Sequence, residues 1–300
     1  MKTNRGIHSL SRRKFLRGVG LGLSALLLSI VRGRKEDTSG TEPWFEWSEW
    51  DVDVPGLSEK FDNFTCIHLT DIHSSTVMDL HRLLMLQEAI LRQTYDCILV
   101  TGDCTYHSTK IDELVQFFAP LAEHTPVLMV MGNHDYWDGG LPVLQPVFQA
   151  GVTLLQNAYY SFERQNDQFL IAGLDNVWEE KDDLDALLMR LPTQPPVLLM
   201  VHEPDVADRT AKANRFFLQL SGHSHGGQIC FANGYAPVLP WLGQRYFRGL
   251  YEVGSMMVYT SRGLGMSRPF VRLNCPAEAV IYHFHPGSQV RFTAIDRSAT

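Results

Sequence analysis

The chain has 300 residues, 45% hydrophobic and 20% charged, the balance of a globular protein long enough to bury a sizeable core. Its formal charge of −7 hides an asymmetry: residues 1–35 hold nine Lys/Arg and no Asp or Glu, leaving 17 cations against 33 anions. A body that acidic is a poor grip for a phosphate backbone, so no nucleic-acid partner is expected.

The chain opens with Ser11-Arg12-Arg13-Lys14-Phe15-Leu16, followed by an uncharged stretch from Gly18 to Val31. Paired arginines ahead of an apolar segment are the signature of twin-arginine export, and the translocation machinery is the implied partner. As a helix the 14-residue stretch would span roughly 21 Å, short of a hydrocarbon core of about 30 Å. No A-x-A site follows it, so both a cleaved signal and a retained anchor, with membrane association through the N-terminus, stand open. Most of the cations precede the apolar stretch, which sends the body outward. Either way the folded part lies in the periplasm or on the outer face of the cytoplasmic membrane.

Residues 36–63 include Trp44-Phe45-Glu46-Trp47-Ser48-Glu49-Trp50. An interfacial aromatic belt is one reading. The alternation continued by Val52, Val54 and Leu57 favours an edge strand. Short apolar runs then predict buried strands over Phe64–Leu69, Cys97–Val100, Val127–Met131, Phe169–Gly173, Val197–Val201 and Phe216–Leu220. Helical spacing occupies 76–94, 110–122 and 182–190. This alternation predicts an α/β fold with largely parallel pairing. Gln228–Phe231, Met256–Thr260 and Ala279–Phe284, set among Gly and Pro, predict antiparallel strands in the last third. The five cysteines are odd in number and include no C-x-x-C pair; Cys66 and Cys97 read as small buried hydrophobes.

Five of the predicted strands run into metal-ligand residue types: Thr70-Asp71-Ile72-His73, Thr101-Gly102-Asp103, Gly132-Asn133-His134-Asp135, His202-Glu203-Pro204, and Ser221-Gly222-His223-Ser224-His225. Ligands bind at the carboxyl edge of α/β sheets, so strands running one way gather these clusters. Phosphoester hydrolysis at neutral pH needs an activated water and compensation for phosphoryl charge. Two divalent ions supply both, and Asp103 is the natural carboxylate to bridge them. Glycines beside the ligands (Gly102, Gly132, Gly222) permit tight turns.

The ordered string D-x-H, G-D, G-N-H-D, H, G-H-x-H resembles the calcineurin-like metallophosphoesterases from about Phe64 to the C-terminus. Gly222–Ile229, Tyr259–Gly265 and Arg272–Pro276 resemble its exported bacterial phosphodiesterase branch, some relatives of which cleave UDP-diacylglucosamine. The resemblance implies a four-layer α-β-β-α sandwich over 64–300, preceded by a signal or anchor (1–35) and an extension with an edge strand (36–63). It implies that Asp71, His73 and His225 hold one metal, that Asn133, His202 and His223 hold a second, and that Asp103 bridges them. His134 would face the phosphoryl group and assist the leaving oxygen after attack by a metal-bridging hydroxide. Mixed His/Asp/Asn donors suit Mn, Fe or Zn.

Arg262 is a candidate for a phosphate oxygen or a loop arginine facing water. His107 is a candidate substrate contact or a surface histidine, and His68 reads as structural. The leading activity is a phosphodiesterase. A phosphomonoesterase, a pyrophosphatase or other phosphoesterase acting on a lipid-linked substrate, and a non-catalytic scaffold are the alternatives.

Overall fold

A computed structural model describes residues 44–107 and 109–296. The twin-arginine stretch lies outside the described residues. Among those described, no helix is long and apolar enough to cross a membrane.

Two sheets form the body. The first contains β1 (Phe45–Pro55), β2 (Phe64–Leu69), β3 (Cys97–Val100), β4 (Val127–Met129), β5 (Val152–Leu154), β12 (Ala277–Gly287) and β13 (Arg291–Ala294), in the order β13-β1-β12-β2-β3-β4-β5. The second contains β6 (Ala158–Arg164), β7 (Asp167–Gly173), β8 (Val197–Met200), β9 (Leu218–Ser221), β10 (Gly249–Val253) and β11 (Met256–Thr260), in the order β10-β11-β9-β8-β7-β6. Strands β2 to β5 pair in parallel, as do β7, β8, β9 and β11.

The alternation of side chains along each strand separates three apolar layers. Cys66, Cys97, Leu99 and Leu128 turn toward Phe169, Ile171, Leu198 and Leu220, so the two sheets pack face to face. Ile67, Leu69, Ile98 and Val100 turn the other way, onto α1 (Leu80–Leu91), α2 (Ile111–His124) and α3 (Leu141–Gln149). The outer face of the second sheet buries Leu170, Val197 and Leu199 against α4 (Leu184–Arg190), and α5 (Ala207–Thr210) packs there too. Helix, sheet, sheet, helix is the layering expected. Side-chain oxygens cap two of these helices: Asp79 accepts from the Arg82 N–H at 3.1 Å and Asp183 from the Ala186 N–H at 2.9 Å.

Three expectations need correction. Strand β1 is not an edge strand: β12 flanks it along its whole length, and β13 pairs with Trp50 to Asp53 on its other side. Its alternating pattern reflects one face against the sheet–sheet core, through Val52 and Val54, and has no bearing on its place in the sheet. Gln228–Phe231 forms no strand; a single bridge joins Ile229 to Leu273, with the Gln228 side chain bonded to neighbouring loop backbone instead. Strands β11 and β12 have mixed neighbours: β11 runs antiparallel to β10 but parallel to β9, and β12 antiparallel to β2 but parallel to β1. All five cysteines are buried and free. Cys66 and Cys97 face each other across paired strands, as apolar filling does.

Candidate metal centre

Each cluster leaves the carboxyl end of its strand, but the five ends belong to two sheets. Strands β2, β3 and β4 deliver Asp71, His73, Asp103, Asn133 and His134. Strands β8 and β9 deliver His202, His223 and His225. Face-to-face packing places the two carboxyl edges together, and hydrogen bonds lock them. The His202 Nδ1–H donates to the Thr101 carbonyl at 2.7 Å, and the His223 backbone N–H donates to the Asp71 carboxylate at 3.0 Å.

Local backbone conformation is unusual here. Asp71, His73, Asp103, His223 and His225 all have positive φ, between 46° and 69°. Non-glycine residues enter this left-handed region at a cost, and such outliers gather at functional sites. Gly102 has φ +89°, and a Cβ there would lie 2.4 Å from the Gly132 nitrogen. Gly132 itself has ordinary φ but sits against the Asp103 carboxylate, so it supplies room rather than torsional freedom.

Three overlapping donor groups result. Asp71, His73 and His225 converge in the first, Asp103, His202 and His223 in the second, and His73, Asp103 and His134 in a third that shares one residue with each. In the first, the His73 and His225 Nε2 atoms are 3.0 Å apart, and His225 Nε2 is 3.5 Å from Asp71 Oδ1. In the second, His202 Nε2 lies 3.2 Å from Asp103 Oδ2 and 3.2 Å from His223 Nδ1. Asp103 Oδ2 is also 3.5 Å from His73 Nε2, which puts this carboxylate between the groups.

The arrangement fits two cations. Donors bound at about 2.0–2.2 Å to one ion stand roughly 3–3.5 Å from each other. Burial holds the Asp71 carboxyl above its ordinary pKa and pushes Asp103 to about 7, so uncompensated negative charge is disfavoured here. Burial also lowers His73 and His225 well below 6.5 and takes His223 to about 3, which keeps these imidazoles neutral with a lone pair to share. For His202, burial opposes charging, but the facing Asp103 outweighs it and raises its pKa. The Asn133 Oδ1 is buried without a hydrogen-bond partner. Carbonyl oxygens orient the rings: Thr105 faces His73 Nδ1, and Trp241 accepts from His223 Nε2 at 2.7 Å.

A family model described as calcineurin-like phosphoesterase matches residues 64–227. The chain belongs to this family. It is 32% identical to the uncharacterized metallophosphoesterase YkuE of Bacillus subtilis strain 168, over 91% of this chain and 97% of that protein. It is 30% identical to phosphodiesterase YaeI of Escherichia coli K12, over 73% of this chain and 81% of that one. Among solved structures, GAP50, the anchor in the inner membrane complex of Plasmodium, shares the fold: 12% identity, TM-score 0.50, covering 78% of this chain and 84% of that one.

Within this calcineurin-like site, His134 is half-buried, and its backbone N–H donates to Asp103 Oδ1 at 2.8 Å. Its ring stands edge-on to His73, its Nδ1 has no partner, and burial lowers its pKa to about 4. His107 is exposed at the rim, 3.3 Å from Asp138, its ring centre 6.1 Å from that of His134. Arg262, a candidate for a phosphate oxygen or a loop arginine facing water, pairs its guanidinium with Glu46 at 3.0 Å and Glu278 at 3.2 Å. His68 is structural, bonded through Nε2 to Thr101.

Two supporting residues appear in the sequence motifs without a role of their own. The buried Asp135 carboxylate accepts from the backbone N–H groups of Asp103, Cys104, Thr105 and Gly132 at 2.8–3.0 Å, fixing the turn that carries Asp103. Its presence in Gly132-Asn133-His134-Asp135 was the only signal available. Arg272 donates to the carbonyls of Arg262, Gly263, Gly265 and Cys275. It orders the loop whose Gly263 lies against Asp71.

Proposed function

We propose that this protein is a phosphodiesterase whose reaction requires two divalent ions. The observation that carries this reading is the pair of donor groups on either side of one carboxylate, Asp103. Asp71, His73 and His225 would hold one ion, and Asn133, His202 and His223 the other, with Asp103 shared. Two such ions, when bound, neutralise phosphoryl oxygens and lower the pKa of the attacking water.

The residues of the chain do the rest. The Asp135 clamp and the Thr101 and Trp241 carbonyls keep donors oriented before substrate arrives, so little reorganisation accompanies the reaction. His134 is neutral at pH 7 and presents an imidazole N–H toward the phosphoryl group. It supports the departing oxygen as the P–O ester bond breaks, and water supplies the new P–O bond and the balancing proton. Likeness to a named phosphodiesterase supports a diester over a monoester. Nitrogen and oxygen donors together suit manganese, iron or zinc. Ser11-Arg12-Arg13-Lys14-Phe15-Leu16 supports export by the twin-arginine machinery, checked by fractionating cells carrying the chain and an Arg12→Lys/Arg13→Lys variant.

Hydrolysis of a bis-aryl phosphodiester beside its monoester tests the activity, after metal removal and reloading with manganese. Metal-dependent diester cleavage, reduced by Asp103→Asn at least about 10²-fold, is the expected result. Faster monoester cleavage would make the protein a phosphomonoesterase. Two bound ions without turnover of either ester would favour a scaffold.

A further inference from the structure

The turn that carries His225 is held in a costly conformation. Four consecutive residues, His225 to Gln228, have positive φ, between 52° and 88°. Two of them, His225 and Gln228, are not glycine, so the turn sits where L side chains enter at a cost. Two thiols face it. Cys275 Sγ lies 3.2 Å from the His225 carbonyl oxygen and 3.4 Å from that of Gly226, and Cys230 Sγ lies 3.4 Å from the same Gly226 oxygen. The sulfurs also flank the two glycines. A Cβ on Gly226 would stand 3.0 Å from Cys275 Sγ, and one on Gly227 3.2 Å from Cys230 Sγ.

The backbone joins the two cysteines independently of their side chains. The Cys230 N–H donates to the Leu273 carbonyl at 2.9 Å, and the Asn274 side-chain amide donates to the Cys230 carbonyl at 2.9 Å. The thiols interact directly with each other. Two cysteines on tied segments, with sulfurs sharing one acceptor, meet the close approach that a disulfide needs.

Another pair is also close: Cys66 and Cys97 are 3.1 Å apart, sulfur to sulfur. That pair lies between the two packed sheets. Cys230 and Cys275 belong instead to a small apolar cluster with Ala236, Leu239 and Phe247. The chain next to Cys230 is open to water, with Phe231 53% exposed and Tyr235 60%. Lifting this short turn admits an oxidant, whereas reaching Cys66 means parting the sheets. The Arg248 guanidinium, 3.9 Å from Cys230 Sγ, offsets part of what burial costs the thiolate.

We propose that Cys230 and Cys275 are a modification site, at which a disulfide oxidant closes an intramolecular bridge that latches the turn carrying His225. Cys230 Sγ, its proton lost to water, attacks one sulfur of the oxidant, whose other half leaves as a thiol. Cys275 Sγ then loses its proton and displaces the second half, forming the Cys230–Cys275 bond. Two electrons pass to the oxidant, which departs as two thiols carrying the two protons. The bridge ties the segment after the turn to the segment before β12 and removes conformations in which the turn opens. The claim concerns thiols and backbone, and goes beyond the phosphodiesterase reading without using it.

The test exposes the reduced, metal-free full chain to oxidised glutathione. Remaining thiols are alkylated in denaturant and the peptides mapped by mass spectrometry. Two of the five cysteines should escape alkylation, in peptides joined through Cys230 and Cys275, and dithiothreitol should return them. Hydrogen exchange at amides 225–230 should slow at least about threefold in the oxidised chain, and its melting temperature should rise at least about 5 °C. Cys230→Ser and Cys275→Ser should each abolish closure and both shifts. Full alkylation after oxidation, a glutathione adduct that never closes, or a Cys66–Cys97 link in place of this one overturns the proposal. A closed Cys230–Cys275 bridge with unchanged exchange at 225–230 overturns the latch.

Discussion

The two sheets bring different chemistry to the candidate centre. The first contributes both carboxylates, Asp71 and Asp103, with Asn133 and two histidines; the second contributes imidazoles only, from His202, His223 and His225. Neither could hold two cations alone. The first would crowd negative charge into a buried edge, and the second would have nothing to balance an ion's charge. Burial raises the acids and lowers His73, His223 and His225, while Asp103 of the first sheet raises His202 of the second. A site for two ions would therefore arise at the seam between the sheets.

The comparison breaks most severely at the residue between the donor groups. Asp103→Asn keeps the shape but removes the shared charge. Besides the activity loss above, metal analysis should show fewer than two ions per chain, whereas His202→Ala should release one ion and leave the Asp71 group filled. Next in size is His134, which the first sheet supplies but which the donor arrangement does not need. His134→Gln should lower kcat by roughly 10²–10⁴, the range of general acid–base assistance, while metal content stays at the wild-type value. Loss of metal along with activity would place His134 among the ligands, where its proximity to His73 and Asp103 would also allow it.

Much of this centre was legible in the sequence because its ligands are short words after apolar runs. Asp71, His73, Asp103, Asn133, His202, His223 and His225 each follow a strand end, and parallel strands carry their ends to one edge. The unreadable part depended on side chains reaching across the fold. Arg262 sits in a glycine-rich loop that looks ready for phosphate, yet Glu278 of β12 and Glu46 of β1 claim it. Those partners lie far away in sequence, and no local pattern announces them. The same holds for β1, whose alternation reports a half-buried face while its neighbours are set by strands at the other end of the chain. The Trp137–Trp178–Trp241 contacts join the end of a short helix to two separate loops, so only folding reveals them.

A smaller effect sharpens the difference between holding a metal and holding the turn that holds it. Asp135 touches no donor atom of the other sheet; it grips four backbone N–H groups around Asp103. Asp135→Asn replaces an acceptor by an amide that can satisfy only some of them. Metal affinity should fall about 10–100-fold, as for residues that orient ligands. Excess manganese should restore most of kcat, which it should not do for Asp103→Asn.

The smallest expected effect lies outside the centre, in the Arg262–Glu278 pair that ties the first sheet to the second. Burial alone would raise the Glu278 carboxyl, but Arg262, the Ser48 hydroxyl and the Arg262 N–H outweigh it and hold its pKa below 4.5. A carboxyl depressed in the folded state binds its proton more tightly when unfolded. Its stabilising contribution is therefore complete above the unfolded value and is lost as pH falls through the folded value. Glu278→Gln should lower the melting temperature at pH 7, and the gap from the parent protein should close as pH falls below about 4. Diester hydrolysis per folded molecule should change little, because the Arg262 charge is spent on structure. A large rise in KM for an anionic substrate in this variant would instead mean that Arg262 swings toward phosphate, and that the seam between the sheets carries substrate recognition as well as metal.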